Sequence, residues 1–586
     1  GRPSNAPGYP LYTMGGWLWF HGLRSVLRDA ANPTSILSAY STLWALLALG
    51  LLYILILDLT DNWVIAFLLG AFYAVSYFFW YYAVSTEQYT SAVAQTLAIV
   101  LLALRWEAAQ DRVDQAGDPT ARADGILLAL ALLSGLALAH MVTVAVIVPP
   151  LLWFILSRRP GLLHRGRLVA AAIGLALLPL LSYAFIYVRG AQHPEWRGAG
   201  QWPNTAAWFL DFVSTSQGRD ELTWSLQPLW THDFPSMVWH ELTWVVLLGG
   251  LAGLTLLGRR RGLFLGATLL LYALLAFIDR QGNWFQVIMP AYPLLLASFA
   301  TVVQALWRRV AGSGRPASQR RALLALLVAG LLALVVVRFE RSWPDANLRD
   351  RQDDTALLSG QAILADVPEP NAAVFGVTSE ALSLRYLTDI WGQRPDVTAV
   401  SSLEAQALLA GASRPLYVTV DAAPLVWLEI DPAAHLSSAG QTLIRVTQDP
   451  VTTLPSDTSL LNISTGAGLS LSGIVAPQPA PGQPWPVRLV WRADDAIAYD
   501  WSVSVRPTEG GQPLAHPEGG IVQQDLAHPV HGAYPTSRWL SGEVVADDYL
   551  FMLPPGSIPD GVQVVIYRVL PDGGFENLAQ LDVPLR

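Results

Sequence analysis

The sequence predicts a polytopic α-helical membrane protein that continues into an α/β domain and ends in a β-sandwich. Three observations carry this reading. Of 586 residues, 53% are hydrophobic and only 14% charged, with a mean hydropathy of +0.37, far from the balance of a soluble chain. The apolar residues gather in long runs before residue 340. After Arg338 those runs give way to short alternating segments. The expected domains are therefore 1–340, membrane; 341–450, α/β; and 451–586, β-sandwich.

Residues 1–33 are too polar to span. Their aromatic and aliphatic residues over 11–27 suit a helix lying in the membrane interface, with Trp17, Trp19 and His21 at headgroup depth. Ten apolar stretches follow, at 34–57, 63–80, 89–105, 124–140, 141–157, 168–188, 238–257, 262–278, 285–306 and 321–338. Several are at the short end of the ~17–25 residues needed to cross a hydrocarbon core.

Arginine gives the orientation. Arg158, Arg159, Arg165 and Arg167, then Arg259, Arg260 and Arg261, then Arg308, Arg309, Arg315, Arg320 and Arg321 occupy three loops. With alternating spans these fall on one side, which the positive-inside rule makes cytoplasmic. The segment around Glu87, the loop 189–237, the turn 279–284 and everything after Arg338 then lie outside. The charge balance agrees: the first 339 residues carry 23 arginines and 16 acids, and the remainder 13 arginines and 29 acids.

Beyond Arg338 the pattern predicts helix over 353–366, strand over 372–377, helix over 379–391, strand over 397–401, helix over 402–410 and strand over 416–420. Such alternation belongs to a parallel sheet with covering helices. From about residue 451 helical periodicity disappears. Strands at 469–475, 487–491, 501–506, 549–553 and 562–569, punctuated by Pro and Gly, predict a sandwich.

Composition also excludes chemistry. There is no cysteine and all 36 basic residues are arginine, so disulfides, thiolate metal sites and Schiff-base lysines are out. No phosphate-cradling glycine loop, nucleophile elbow or basic stripe for nucleic acid is present.

Six strings occur in order: NAPGYPLY at 5–12, STEQY at 85–89, GLALAH at 135–140, YVRG at 187–190, NWFQVIMPAYP at 283–293 and YLTDIWGQRPDV at 386–397. Together they resemble a membrane family of GT-C type glycosyltransferases, whose animal members are protein O-mannosyltransferases and whose bacterial members were long labelled only as unknown function. The resemblance covers roughly residues 5–400. It implies a GT-C-like membrane domain that moves a sugar such as mannose from a polyprenyl-phosphate donor to a protein or cell-envelope glycan on the extracytoplasmic face of a bacterial plasma membrane. In GT-C enzymes an acid just before the PGYP-like stretch acts in catalysis. The first acid here is Asp29, so that acid and its span are expected in a segment preceding Gly1.

The site residues follow, each beside its plainer reading. Glu87, the lone acid between Asp61 and Glu107, either takes the acceptor's hydroxyl proton, helps ligate a divalent cation, or simply caps the next span. His140 either hydrogen-bonds the donor phosphate or is a satisfied interfacial histidine. Arg189 offers a guanidinium fork to the lipid phosphate, or snorkels to headgroups. Arg280 binds the same phosphate or pairs with Asp279.

The loop 193–240 holds Trp196, Trp202, Trp208, Trp224, Trp230 and Trp239, as sugar platforms or as an interfacial belt. Its His193, Glu195, His232, Asp233 and His240 lack metal-ligand spacing. HPVHGAYPTSRWLSGE at 528–543 resembles a motif of bacterial extracytoplasmic sandwiches, with His528 and His531 expected to hold a loop. A rival reading makes the chain a non-catalytic accessory subunit of a larger membrane complex, binding partners through its acidic ectodomains and tryptophan-rich loop.

Overall fold

The computed structural model describes residues 8–28, 31–116, 120–194, 202–214, 238, 240–278, 284–347, 355–466, 468–480, 483–570 and 572–585. The chain divides into two compact units, Gly1–Arg349 and Asp350–Arg586.

The first unit is helical. α1 (Pro10–Leu27) opens with proline in its first turn, where the missing N–H costs nothing. Its Trp19 Nε1–H donates to Ile36 O at 2.8 Å, while Trp17 and Leu18 are exposed, as an interfacial helix requires. α2 (Pro33–Thr60) starts at Asn32, whose side chain caps Thr34 N–H.

The second apolar stretch is not one straight span. It is α3 (Trp63–Ala74) and α4 (Tyr77–Val84), bent by 68°. α5 (Tyr89–Ala116) and α6 (Thr120–His140) follow, then a 3₁₀ turn (Val142–Ile147) leading into α7 (Val148–Arg158), and α8 (Gly166–Leu177) and α9 (Ala184–Gln192), which together form one apolar length, Gly166–Gln192. After α10 (Thr205–Val213) come α11 (Trp244–Leu256), α12 (Arg259–Ile278), α13 (Trp284–Ile288), α14 (Ala291–Ala311) and α15 (Ala317–Ala346).

Among the described residues, seven helices are long and apolar enough to cross a membrane, or eight counting the bent pair. Val142–Arg158 and Trp244–Leu256 are shorter apolar helices, so two of the ten expected stretches fall below spanning length as single helices. The core of this unit runs through α2, α3, α5 and α14, from Ala48, Leu52 and Ile56 to Leu294 and Ala297.

Charge is tied down at one end of the bundle. Glu107, 5% exposed, meets Arg260 at 3.2 Å and Arg261 at 2.6 Å. Arg158 bonds Asp111 at 2.8 Å and also meets Asp114, Arg165 grips Asp124 at 2.5 and 2.6 Å, and Arg105 meets Asp58 at 3.2 Å. Two of the three arginine-rich loops, those of Arg158–Arg167 and Arg259–Arg261, are therefore part of an ion-pair layer closing that end.

The second unit holds the expected alternation. β1 (Ala373–Phe375), β2 (Thr398–Ala399) and β3 (Leu416–Thr419) run parallel in the order β2-β1-β3. A helix at Leu358–Ala365 precedes β1, and helices at Thr378–Arg385 and Ser402–Gly411 lie between the strands in sequence. The sheet is mixed, because the hairpin β4 (His435–Ser438) and β5 (Leu443–Thr447) adds antiparallel strands beyond β3.

Two further sheets make the sandwich. One contains β6 (Ser459–Ser464), β7 (Leu469–Val475), β8 (Pro484–Ala493) and β12 (Val544–Met552). The other contains β9 (Ser502–Glu509), β10 (Gln512–Pro513), β11 (Gln524–Leu526), β13 (Gly561–Val569) and β14 (Phe575–Pro584). One buried cluster, including Val418, Leu436, Trp491 and Val564, joins the mixed sheet to the sandwich.

The HPVHG turn is backbone-strained. Val530 (φ 59°) and His531 (φ 56°) precede Gly532 (φ 83°) in the left-handed region, which a β-branched residue rarely adopts. The surroundings enforce it: Val530 N–H donates to Asp547 at 2.7 Å, and His531 Nε2–H to Gly440 O at 2.8 Å. A second knot lies nearby in sequence, where His435 Nδ1 and Tyr534 OH each approach Glu543 Oε1 at 3.0 Å.

Candidate active site at the Glu87 end of the bundle

Glu87 lies between α4 and α5, and its backbone is clamped from two helices. Tyr12 OH, on α1, donates to Glu87 O at 2.7 Å, and Ser41 Oγ, on α2, to the same oxygen at 2.8 Å. Glu87 N–H approaches Ser41 Oγ at 3.1 Å, and Thr90 Oγ1 closes back on Ser41 O at 2.9 Å. Further along, Thr42 Oγ1 holds Ala83 O at 2.7 Å.

The carboxylate is partly buried, and none of the described residues donates to it. Burial raises its pKa above the ordinary carboxylate value. Burial likewise pushes Tyr9 up to about 12 and Tyr12 higher still, so both stay protonated donors beside it.

Tyr9 and Tyr12 stand where they do because of Gly8. Gly8 has φ +91°, and a Cβ there would lie 2.5 Å from Ile186 Cδ1 on α9. The glycine lets the chain turn against α9 and start α1 with Tyr12 facing α2. His140 closes another side. Its Nδ1–H donates to Leu136 O at 3.0 Å, which leaves Nε2 as the acceptor. Its ring lies 6.4 Å from Tyr12 and 5.4 Å from Trp44. Gln286, from the NWFQVIMPAYP string, donates to Tyr82 OH at 2.6 Å, and Tyr82 meets Tyr89 of STEQY edge-to-face at 4.8 Å. Four of the six strings thus converge on one patch.

Arg189 lies on another side of α1. With Thr13, Met14, Trp17, Leu18 and Phe185 it lines an apolar groove of about 350 Å³, and it bonds Gln192 at 3.0 Å. The helical positions of Met14, Trp17 and Leu18 lie on the far side of α1 from those of Tyr12 and Trp19, so the groove opens largely away from Tyr12. The glycine of YVRG is a packing device: a Cβ at Gly190 would sit 2.1 Å from the Trp208 ring. That assigns Trp208, 4% exposed, to packing. Arg280, Glu195, His232, Asp233, Trp196, Trp224, Trp230 and Trp239 lie outside the described residues.

Sequence reasoning missed two contributors. Tyr12 looked like one more interfacial aromatic, although its place in PGYPLY was the available signal. Glu241 carries no such signal in the sequence. It is 1% exposed, and its carboxylate accepts the N–H of Phe78 in the first turn of α4.

The bent helix pair, the ion-paired end and the tyrosine-rich opposite end make this unit a polytopic helical membrane domain. Residues 4–163 match the family described as the protein O-mannosyl-transferase TMEM260 N-terminal domain, a range that holds three of the six strings.

Solved structures are similar only distantly. ArnT from Cupriavidus metallidurans in the apo state is 14% identical, over 69% of this chain and 82% of that one, with a TM-score of 0.46. ArnT bound to undecaprenyl phosphate is 15% identical, over 70% and 83%, with a TM-score of 0.41. The archaeal oligosaccharyltransferase AglB from Archaeoglobus fulgidus, in complex with an inhibitory peptide and a dolichol-phosphate, is 13% identical, over 75% and 66%, with a TM-score of 0.41. No curated protein matches the chain.

Proposed function

We propose that the chain is an inverting glycosyltransferase that moves a hexose such as mannose from a polyprenyl-phosphate donor to a hydroxyl of a protein or cell-envelope glycan. The observation that carries this is the convergence of Tyr9, Tyr12, Glu87, His140 and the Gln286–Tyr82 pair at one end of the bundle, partly within a segment matching an O-mannosyltransferase family. By the positive-inside rule that end faces out of a bacterial plasma membrane, because the arginine loops lie at the other.

In this reading Glu87 accepts the acceptor hydroxyl's proton as the hydroxyl oxygen attacks the sugar's anomeric carbon. The bond from that carbon to the phosphate oxygen breaks, and the polyprenyl phosphate leaves with the electron pair. The fixed Glu87 backbone supplies the positioning. His140 and Arg189 are proposed to contact the donor, Arg189 at the mouth of an apolar groove suited to an isoprenoid chain. Arg280 is retained as a further phosphate ligand.

Around Glu87 the described residues supply one carboxylate and neutral hydroxyls. They form no group of three His, Asp or Glu side chains, a donor set too small to hold a divalent cation alone, so no step is routed through one.

Membranes carrying the protein should transfer labelled sugar from polyprenyl phosphate to endogenous acceptor, and Glu87→Gln should lower this at least 100-fold. Transfer unchanged in Glu87→Gln refutes the role given to that residue. No transfer by the parent protein, with donor and acceptor supplied, refutes the function.

A further inference from the structure

The bend between α3 and α4 occurs without proline or glycine, and its cap is unusual. Ser76 stands at the N-cap of α4, but its hydroxyl turns back to Tyr73 O at 2.9 Å and caps nothing. The Phe78 N–H is taken instead by the carboxylate of Glu241, 163 residues away in sequence. Glu241 is buried at the start of that helix, with Ser76 and Phe79 also in reach. The turn carrying it is anchored in turn: Arg338 Nη1, on α15 and 2% exposed, donates to Leu242 O at 3.4 Å. A buried carboxylate is costly unless it is given donors, so this arrangement is maintained by the fold around it.

We propose that Glu241 is a positioning residue. By capping α4 it sets the direction of that helix and thereby holds the Ser85–Gln88 segment, with Glu87, against Tyr12 and Ser41. α4 is only eight residues long, so a change at its N-terminus is transmitted to Ala83, where Thr42 grips it, and on to Glu87. The catalytic consequence rests on the reading of Glu87 as base; the geometric one does not.

The test uses the absence of cysteine. Ser38 Oγ and Thr86 Oγ1 are 3.5 Å apart, so Ser38→Cys with Thr86→Cys should form a disulfide in the full-length protein on mild oxidation, scored by loss of maleimide labelling. Glu241→Ala in that background should slow closure about tenfold. Glu241→Gln, whose amide oxygen still accepts from Phe78, should leave it unchanged.

In the cysteine-free parent, Glu241→Ala should lower kcat by roughly 10- to 100-fold, as expected for a misplaced catalytic group. The donor KM should stay within about twofold, because the Arg189 groove lies across α1, and Glu241→Gln should restore kcat. Equal disulfide rates in Glu241→Ala and its parent overturn the proposal, as does slowed closure in Glu241→Gln, which is also decisive where the alanine variant does not accumulate. If the disulfide rates behave as stated while the parent transfers no sugar, the positioning role stands and the assigned function falls.

Discussion

Asp547 should make the second unit less stable as pH rises toward neutrality. Its side chain is fully buried in β12 and receives Val530 N–H at 2.7 Å and Tyr549 OH at 2.6 Å. Burial is the dominant influence and pushes its pKa up to about 7, against roughly 3.9 in an unfolded chain. The folded state therefore binds this proton more tightly than the unfolded state does. The stabilisation is fully present below about pH 4 and is lost as pH rises through 7. At ~1.36 kcal/mol per unit, the span of about three units is worth about 4 kcal/mol at most.

Asp547→Asn mimics the protonated acid, since its oxygen accepts from Val530 and its amide donates to Tyr549, and it should abolish this term. Urea or thermal unfolding of residues 350–586, followed by tryptophan fluorescence from pH 4 to 8, isolates it as a difference. The two proteins should agree near pH 4, and by pH 8 the asparagine variant should melt roughly 10 °C higher, taking ~2–4 °C per kcal/mol for a unit of this size. Parallel pH profiles would refute the argument.

Removing the two donors to the Glu87 carbonyl should be non-additive. Tyr12→Phe and Ser41→Ala should each cost about 1 kcal/mol, hence roughly fivefold in transfer rate, whereas the double variant leaves the carbonyl bare and should lose more than the product of the two, measured as kcat in a double-mutant cycle. Gly190→Ala drives a methyl into the Trp208 ring and should destabilise the solubilised protein by roughly 1–3 kcal/mol, read as its melting temperature. Removing both Arg260 and Arg261 strands the buried Glu107 and should cost about 3 kcal/mol, well above the effect of Glu107→Gln, which removes the charge itself; comparative melts in detergent decide it.

The sequence revealed what depends on composition along the chain and hid what depends on direction. Apolar length marked the membrane helices, and the change of period after Arg338 marked the sheet. The run across α3 and α4 carries no charge, and its junction at Val75–Ser76 has neither proline nor glycine, so hydropathy gave no hint of the 68° bend. β4 and β5 escaped because His435–Ser438 is four residues long and polar at three of them. Glu87 was legible as a lone charge in an apolar setting. Glu241 was not, since an acid in a polar, tryptophan-rich loop looks the same whether it is wetted or buried against a helix end. Arg189 was found as a residue, but not its side of α1, because the helical phase that parts Met14 and Trp17 from Tyr12 is set by packing on α2.

The two ends of the helical unit show where function is to be sought. At the arginine-rich end Asp58, Glu107, Asp111, Asp114 and Asp124 each meet an arginine, and a paired charge has its interaction energy already committed to the fold. At the other end the backbone is restrained as tightly, through Tyr12, Ser41, Thr42 and Glu241, yet the Glu87 carboxylate receives no donor from the described residues and His140 turns Nε2 away from its own helix. Rigid backbone combined with uncommitted polar atoms is the condition for catalysis by positioning. Charge pairing without such atoms is the condition for a closed, structural end, and substitutions there should change stability before they change transfer.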